Sequence, residues 1–157
     1  NIAYLPQKVF LIDDTISHNV ALGVSEVDID YNLVDKSLQK ANLFKYIQSL
    51  EDGVNSMVGE SGVSLSGGQA QRVALARAFY HGQNVLVFDE STSALDEETE
   101  TEIINEVKRL QGERTIIIIS HRPSILTHCN HIIKLKEGRI IEQGSYEVII
   151  GSKYKSD

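Results

Sequence analysis

Two adjacent carboxylates, Asp89 and Glu90, directly follow the apolar run at 85–88. An imidazole, His121, follows a second apolar run at 115–119 after a single serine. Short continuous runs of this kind predict parallel strands covered on both faces. In open α/β sheets ligands sit at the carboxyl ends of the strands. The two acids and the histidine are therefore expected at one edge of a sheet. An acid ending an apolar strand can hold Mg²⁺ beside a nucleotide. A second acid next to it can polarise an attacking water. Acids also end strands for no chemical reason, but a pair of them, with His121 at the next strand end, favours the site.

The second constellation is Leu65-Ser66-Gly67-Gly68-Gln69, which closes a Gly/Ser-rich stretch at 59–68. Two glycines let backbone N–H groups come close to an anion. They stand where a helix begins, and there the free N–H groups and the helix dipole favour phosphate. Ser66 can add a hydroxyl or cap the helix. On its own a Ser-Gly-Gly loop is a common helix entrance.

These groups need elements to hold them. Residues 2–12 read as a strand and a turn around Pro6. Residues 15–22 and 30–50 read as helices, the second capped by Asp30 and carrying Leu33, Val34, Leu38 and Ala41 as a stripe. Residues 69–80 predict a helix that is apolar nearly all round and so deeply buried. Strands follow at 84–88 and 115–119, separated by a helix at 97–110 with acids in its first turns. A short helix after Pro123, a hairpin of 132–136 and 139–142 around Glu137-Gly138, and a helix at about 145–150 complete the chain. The alternation predicts an α/β fold with a mostly parallel sheet, plus a helical lobe before residue 80.

The whole chain of 157 residues is long enough for one domain with a real core. Its formal net charge of −7 argues against nucleic acid or an anionic membrane as a bulk electrostatic partner. The single cysteine, Cys129, excludes an internal disulfide and suits a reducing compartment. The apolar runs are far shorter than the roughly 20 residues a membrane span needs. His128-Cys129-x-His131 has metal-binding residue types but lacks the four well-spaced ligands of a structural zinc site. Lys153 and Lys155 are too few for a lipid-binding patch.

Taken together, the motifs resemble those of the ATP-binding-cassette (ABC) nucleotide-binding domain. Leu65-Ser66-Gly67-Gly68-Gln69 matches the family's signature motif, with Gln71-Arg72-Val73-Ala74-Leu75-Ala76-Arg77-Ala78 continuing it. Val85-Leu86-Val87-Phe88-Asp89-Glu90 matches the Walker B strand and its catalytic glutamate. Ser93-Ala94-Leu95-Asp96 matches the D-loop, His121 the switch histidine, and Gln7 in Tyr4-Leu5-Pro6-Gln7 the Q-loop glutamine. Five motifs stand in the family's order over essentially the whole chain. The fold this implies is P-loop NTPase-like, with 13–80 as the helical signature subdomain and 1–12 and 81–157 belonging to the RecA-like core. Ala70 and Ser91 depart from the usual residues without expected consequence.

The resemblance implies ATP and Mg²⁺ as ligands. It gives Asp89 the Mg²⁺ shell, Glu90 the attacking water, and His121 the γ-phosphate. Gln7 would sense Mg²⁺ or the water. Ser66, Gly67, Gly68, Gln69 and Asp96 would act in trans, across a head-to-tail dimer of two such domains. Val58-Gly59-Glu60-Ser61-Gly62, His121-Arg122 and the stretch around Thr15-Ile16 resemble the exporter branch. There the partner is a transmembrane domain, the place is the cytoplasmic face of the membrane, and the cargo is a lipid, glycan or peptide. A soluble ABC ATPase acting on nucleic acid or ribosomes is the alternative, and the lack of a basic stripe speaks against it. A non-enzymatic pairing module is a third reading, opposed by the intact Glu90 and His121. The chain has no G-x-x-x-x-G-K-[ST] loop. It starts at Asn1 inside an extended stretch, so it reads as a domain truncated on its N-terminal side. Alone it is expected neither to bind ATP tightly nor to hydrolyse it.

Overall fold

The computed structural model describes residues 2–60, 62–89, 105, 108–110, 112–120 and 123–149. The chain forms two compact units, 1–119 and 120–157.

In the first unit, β1 (Ile2–Leu5), β4 (Val85–Asp89) and β5 (Thr115–Ile119) form a three-stranded sheet in the order β1-β4-β5. Both pairings are parallel, with Leu5 opposite Phe88 and Asp89 opposite Ile119. All three strands therefore end at one edge, as the sequence predicts. Among the described residues, the expectation of strands covered on both faces holds for one face only. Leu86 and Phe88 are buried, whereas Tyr4 is 58% and Ile117 and Ile119 are each 48% exposed on the other side. Nothing described in this chain covers that second face.

The remainder of this unit is helical. The short helix α1 (Ile16–Val20) is capped by Thr15, whose side chain accepts from the His18 N–H. The helix expected over 30–50 is two, α2 (Tyr31–Lys40) and α3 (Phe44–Gln48). The break has a local cause. Asn42 adopts φ 53, a left-handed conformation that asparagine tolerates better than most residues. The Leu43 N–H then bonds back to the Leu38 carbonyl at 2.9 Å, and Asn42 to Gln39 at 3.0 Å. That is a Schellman stop, with Leu38 and Leu43 both buried beneath it.

Two strands of two residues each, β2 (Asp14–Thr15) and β3 (Met57–Val58), pair antiparallel and were not expected. A strand this short shows no alternating pattern in sequence. Helix α4 (Gly67–Tyr80) packs against α1, α2 and β1. It buries Val73, Leu75, Ala76 and Phe79, in line with its all-round apolar sequence. It ends on Gly82 at φ 62, where Gln83 N–H reaches the Ala78 carbonyl at 3.0 Å in a second Schellman stop. The helix expected at 97–110 lies mostly outside the described residues.

The second unit holds α5 (Pro123–Leu126), a hairpin of β6 (Ile132–Lys136) and β7 (Arg139–Gly144), and α6 (Tyr146–Ile149). Glu137 and Gly138 both have positive φ, at 50 and 74, which gives a two-residue turn whose twist suits a hairpin. The hairpin is two residues longer than expected in β7 and carries an irregularity between Lys134 and Leu135. Lys134 pairs with Glu142 across it at 3.0 Å.

Candidate functional site

The sheet edge is the first part of the site. Asp89 is the last residue of β4 and stays half-exposed. Gln7 follows two residues after β1 ends, so the parallel pairing of β1 and β4 brings Gln7 and Asp89 to the same edge. Glu90, His121 and Asp96 lie outside the described residues. One residue that sequence reading passed over belongs here. The Tyr4 hydroxyl donates to Asp89 Oδ2. Tyr4 sits opposite Val87 in the ladder, and Asp89 lies two residues on, hence on the same face. No local pattern marks the bond, because strand register brings the two residues together. The bond to Asp89 is the main cause that pushes the Tyr4 phenol above its ordinary pKa, with slight desolvation and the neighbouring charge adding to it.

The second part is the start of α4. Ser66 is its N-cap, and its hydroxyl accepts from Gln69 N–H at 3.2 Å. The Gln69 side chain accepts from Ser66 N–H at 2.8 Å, which closes a capping box. This uses up the third helical N–H. Among the described residues, no acceptor is found for the N–H groups of Gly67 and Gly68. Both therefore remain available at the positive end of the helix dipole. Ser66 and Gly67 are exposed, Gly68 is buried and Gln69 is half-buried. No hydrogen bond among the described residues joins this group to Asp89.

The loop preceding α4 is held tightly. Val63 N–H bonds to the Met57 carbonyl at 2.8 Å. A Cβ on Gly62 would stand 2.2 Å from that carbonyl oxygen, so only glycine fits. Gly59, at φ 108, would place a Cβ 2.8 Å from the Asp13 backbone. Met57 and Val58 are thereby held on β2, and Gly59 lies against Asp13.

Among the described residues no group of three or more His, Cys, Asp or Glu could hold a metal ion. Burial pushes the Cys129 thiol up, which disfavours the thiolate a metal needs. Its sulfur lies 3.9 Å from the Ile125 carbonyl, as in an ordinary turn. None of the described helices is long and apolar enough to cross a membrane.

The profile of the ABC transporter family matches residues 1–93, more than half the chain. The chain belongs to that family. It is 41% identical over 152 residues to the ATP-dependent lipid A-core flippase of Cupriavidus pinatubonensis (strain JMP 134 / LMG 1197), covering 96% of this chain and 26% of that protein. It is 37% identical over 150 residues to the protein of the same name from Francisella tularensis subsp. tularensis (strain FSC 198), covering 96% of this chain and 24% of that one. Its fold is that of a bacterial Atm1-family ABC exporter solved with ATP bound, at a TM-score of 0.83 and 36% identity over 97% of this chain and 26% of that one. The α/β fold with a parallel sheet, expected from the sequence, is thus confirmed. The chain spans about a quarter of the length of these relatives.

Proposed function

We propose that this chain is part of the ATP-hydrolysing domain of an ABC exporter. It would work at the cytoplasmic face of a membrane, paired head to tail with a second such domain and docked on a transmembrane domain. The carrying observation is the parallel β1-β4-β5 sheet. It delivers Gln7 and Asp89 to one edge, while α4 presents uncapped N–H groups from Gly67 and Gly68. The exporter branch is supported by the relatives' printed names, and a lipid or lipid-linked glycan is the cargo class they favour.

The described residues fit the nucleotide. Asp89 has a carboxylate at a strand end, a hard oxygen donor of the kind Mg²⁺ takes. Bound Mg²⁺ supplies charge neutralisation at the phosphate oxygens. Asp89 would hold that ion, releasing Tyr4 in doing so. Glu90 would orient and polarise the attacking water, and Gln7 would hold the water or the ion shell. His121 would contact the terminal phosphate. Ser66, Gly67, Gly68 and Gln69 would meet the terminal phosphate held by the opposite domain, with Asp96 beside them. Residues 13–80 would form the helical signature subdomain, with 1–12 and 81–157 in the catalytic core. Lacking the phosphate-loop lysine, the 157-residue chain by itself would show no turnover.

The test is Glu90→Gln in the full-length protein. ATP binding is expected to persist while kcat falls by about a hundredfold or more, the scale of a lost general base. Near-normal turnover would remove Glu90 from the reaction.

A further inference from the structure

We propose that Arg77 and Asn19 are positioning residues that make the segment after Gln7 and the helix beginning at Ser66 move as one body. The proposal rests on the ATPase reading above.

Arg77 lies on α4, eleven positions after Ser66, or roughly 16 Å along the axis. Its Nε donates to the Asn19 carbonyl at 2.8 Å. Its Nη2 donates to the Phe10 carbonyl at 3.5 Å. It is half-buried and forms no ion pair among the described residues. Its bonds go to two backbone carbonyls, one in the irregular stretch before β2 and one in α1. A half-buried cation costs desolvation that an apolar filler would not. What the guanidinium adds is a planar fork that can take two carbonyls in separate places.

Asn19 carries the connection onward. It is fully buried. Its Oδ1 accepts from Ile12 N–H at 2.9 Å, and its Nδ2 donates to the carbonyls of Ile12 and Thr15 at 3.0 Å each. The backbone at 10–13 has no strand ladder of its own, so its polar groups need such partners. The bonds therefore run in series: α4 to Arg77, Arg77 to Phe10 and Asn19, and Asn19 to Ile12 and Thr15. At the other end α4 runs from Gly68 to Tyr80 without a further glycine or a proline. A shift of 10–19 reaches Ser66–Gln69 with no joint between them.

The experiment is hydrogen exchange in the full-length protein at peptides covering 8–20 and 64–70, with and without Mg²⁺ and a non-hydrolysable ATP analogue, alongside steady-state kinetics. In the wild type, nucleotide slows exchange in both peptides. In Arg77→Ala the slowing at 64–70 remains and that at 8–20 is lost. kcat falls about tenfold and KM for ATP stays within about twofold, the signature of lost positioning and not of lost binding. Arg77→Lys keeps the charge without the fork. It gives the same split at smaller amplitude, and it serves if the alanine variant does not fold. The proposal is overturned if both peptides still respond together in the variants. It is also overturned if exchange rises evenly across 1–119 while kcat and KM move together, because that marks a packing residue only. A wild type that neither responds to nucleotide nor hydrolyses it sinks the ATPase reading itself, and this proposal with it.

Discussion

The two halves of the candidate site are built differently. The start of α4 is held by its own neighbourhood: a capping box closed within four residues, a helix whose far side is the core, and a preceding loop that admits only glycine at 62. The sheet edge is held by pairing between strands far apart in sequence, and among the described residues only one face of that sheet is covered. Leu75 is 3% exposed, whereas Ile117 is 48% exposed. The start of α4 is thus preorganised by local sequence, whereas the carboxylate edge is set by the register of β1, β4 and β5. A composite site of this kind can keep one half rigid while the other is completed on assembly.

The contrast can be broken most sharply by truncating one side chain in each half. Leu75→Ala leaves a cavity in the core beneath α4 and is expected to cost about 3 kcal/mol of unfolding free energy. Ile117→Ala, on the open face, is expected to cost less than about 1 kcal/mol. Denaturant unfolding of the two variants measures the difference. Equal losses would mean that the open face is as well packed as the core, and the comparison would fall.

A smaller effect sharpens the local half. Ser66→Ala removes the acceptor for Gln69 N–H and half of the capping box. It should cost about 1 kcal/mol by the same measurement. The loss should be confined to the first turn, so amide exchange should quicken at 67–70 and not at 73–79. Quickening along the whole helix would show that the cap and not the core holds α4.

Much of this architecture is legible in the sequence, for physical reasons that differ by element. The strands at 85–89 and 115–119 are plain because a short continuous run, apolar in the first and β-branched in the second, has few other homes. The buried α4 is plain because its apolar residues fall on every side. The break at Asn42 was missed because the stripe of α2 passes smoothly into that of α3, and the stop is made by one residue's φ. The β2-β3 pair was missed because two residues carry no period. Tyr4 was read as part of a motif only. Its link to Asp89 comes from register between strands more than eighty positions apart, which no local pattern encodes. Asp89, Glu90 and His121 are expected at one edge; β4 ends there on Asp89, and the other two lie outside the described residues. That Gln7 comes to the same edge follows from the β1-β4 pairing, and the phosphate chemistry of the site rests on the family's motifs.

The smallest effect concerns that Tyr4–Asp89 bond. Its cause is a hydrogen bond that needs the phenol proton, so the folded state raises the Tyr4 pKa above the ordinary 10.0. A group raised on folding contributes fully below its unfolded pKa and loses that contribution as pH climbs through the folded value. The bond is therefore intact at neutral pH and is lost only above about pH 10, when a phenolate would face a carboxylate. Because Tyr4 is exposed, its effect on stability is expected to be small. The readout is the ultraviolet titration of tyrosine. An ionisation step above the ordinary tyrosine range is expected, and Tyr4→Phe should remove it. If Tyr4→Phe removes no step above the ordinary range, the Tyr4–Asp89 bond does not hold the carboxylate edge in solution.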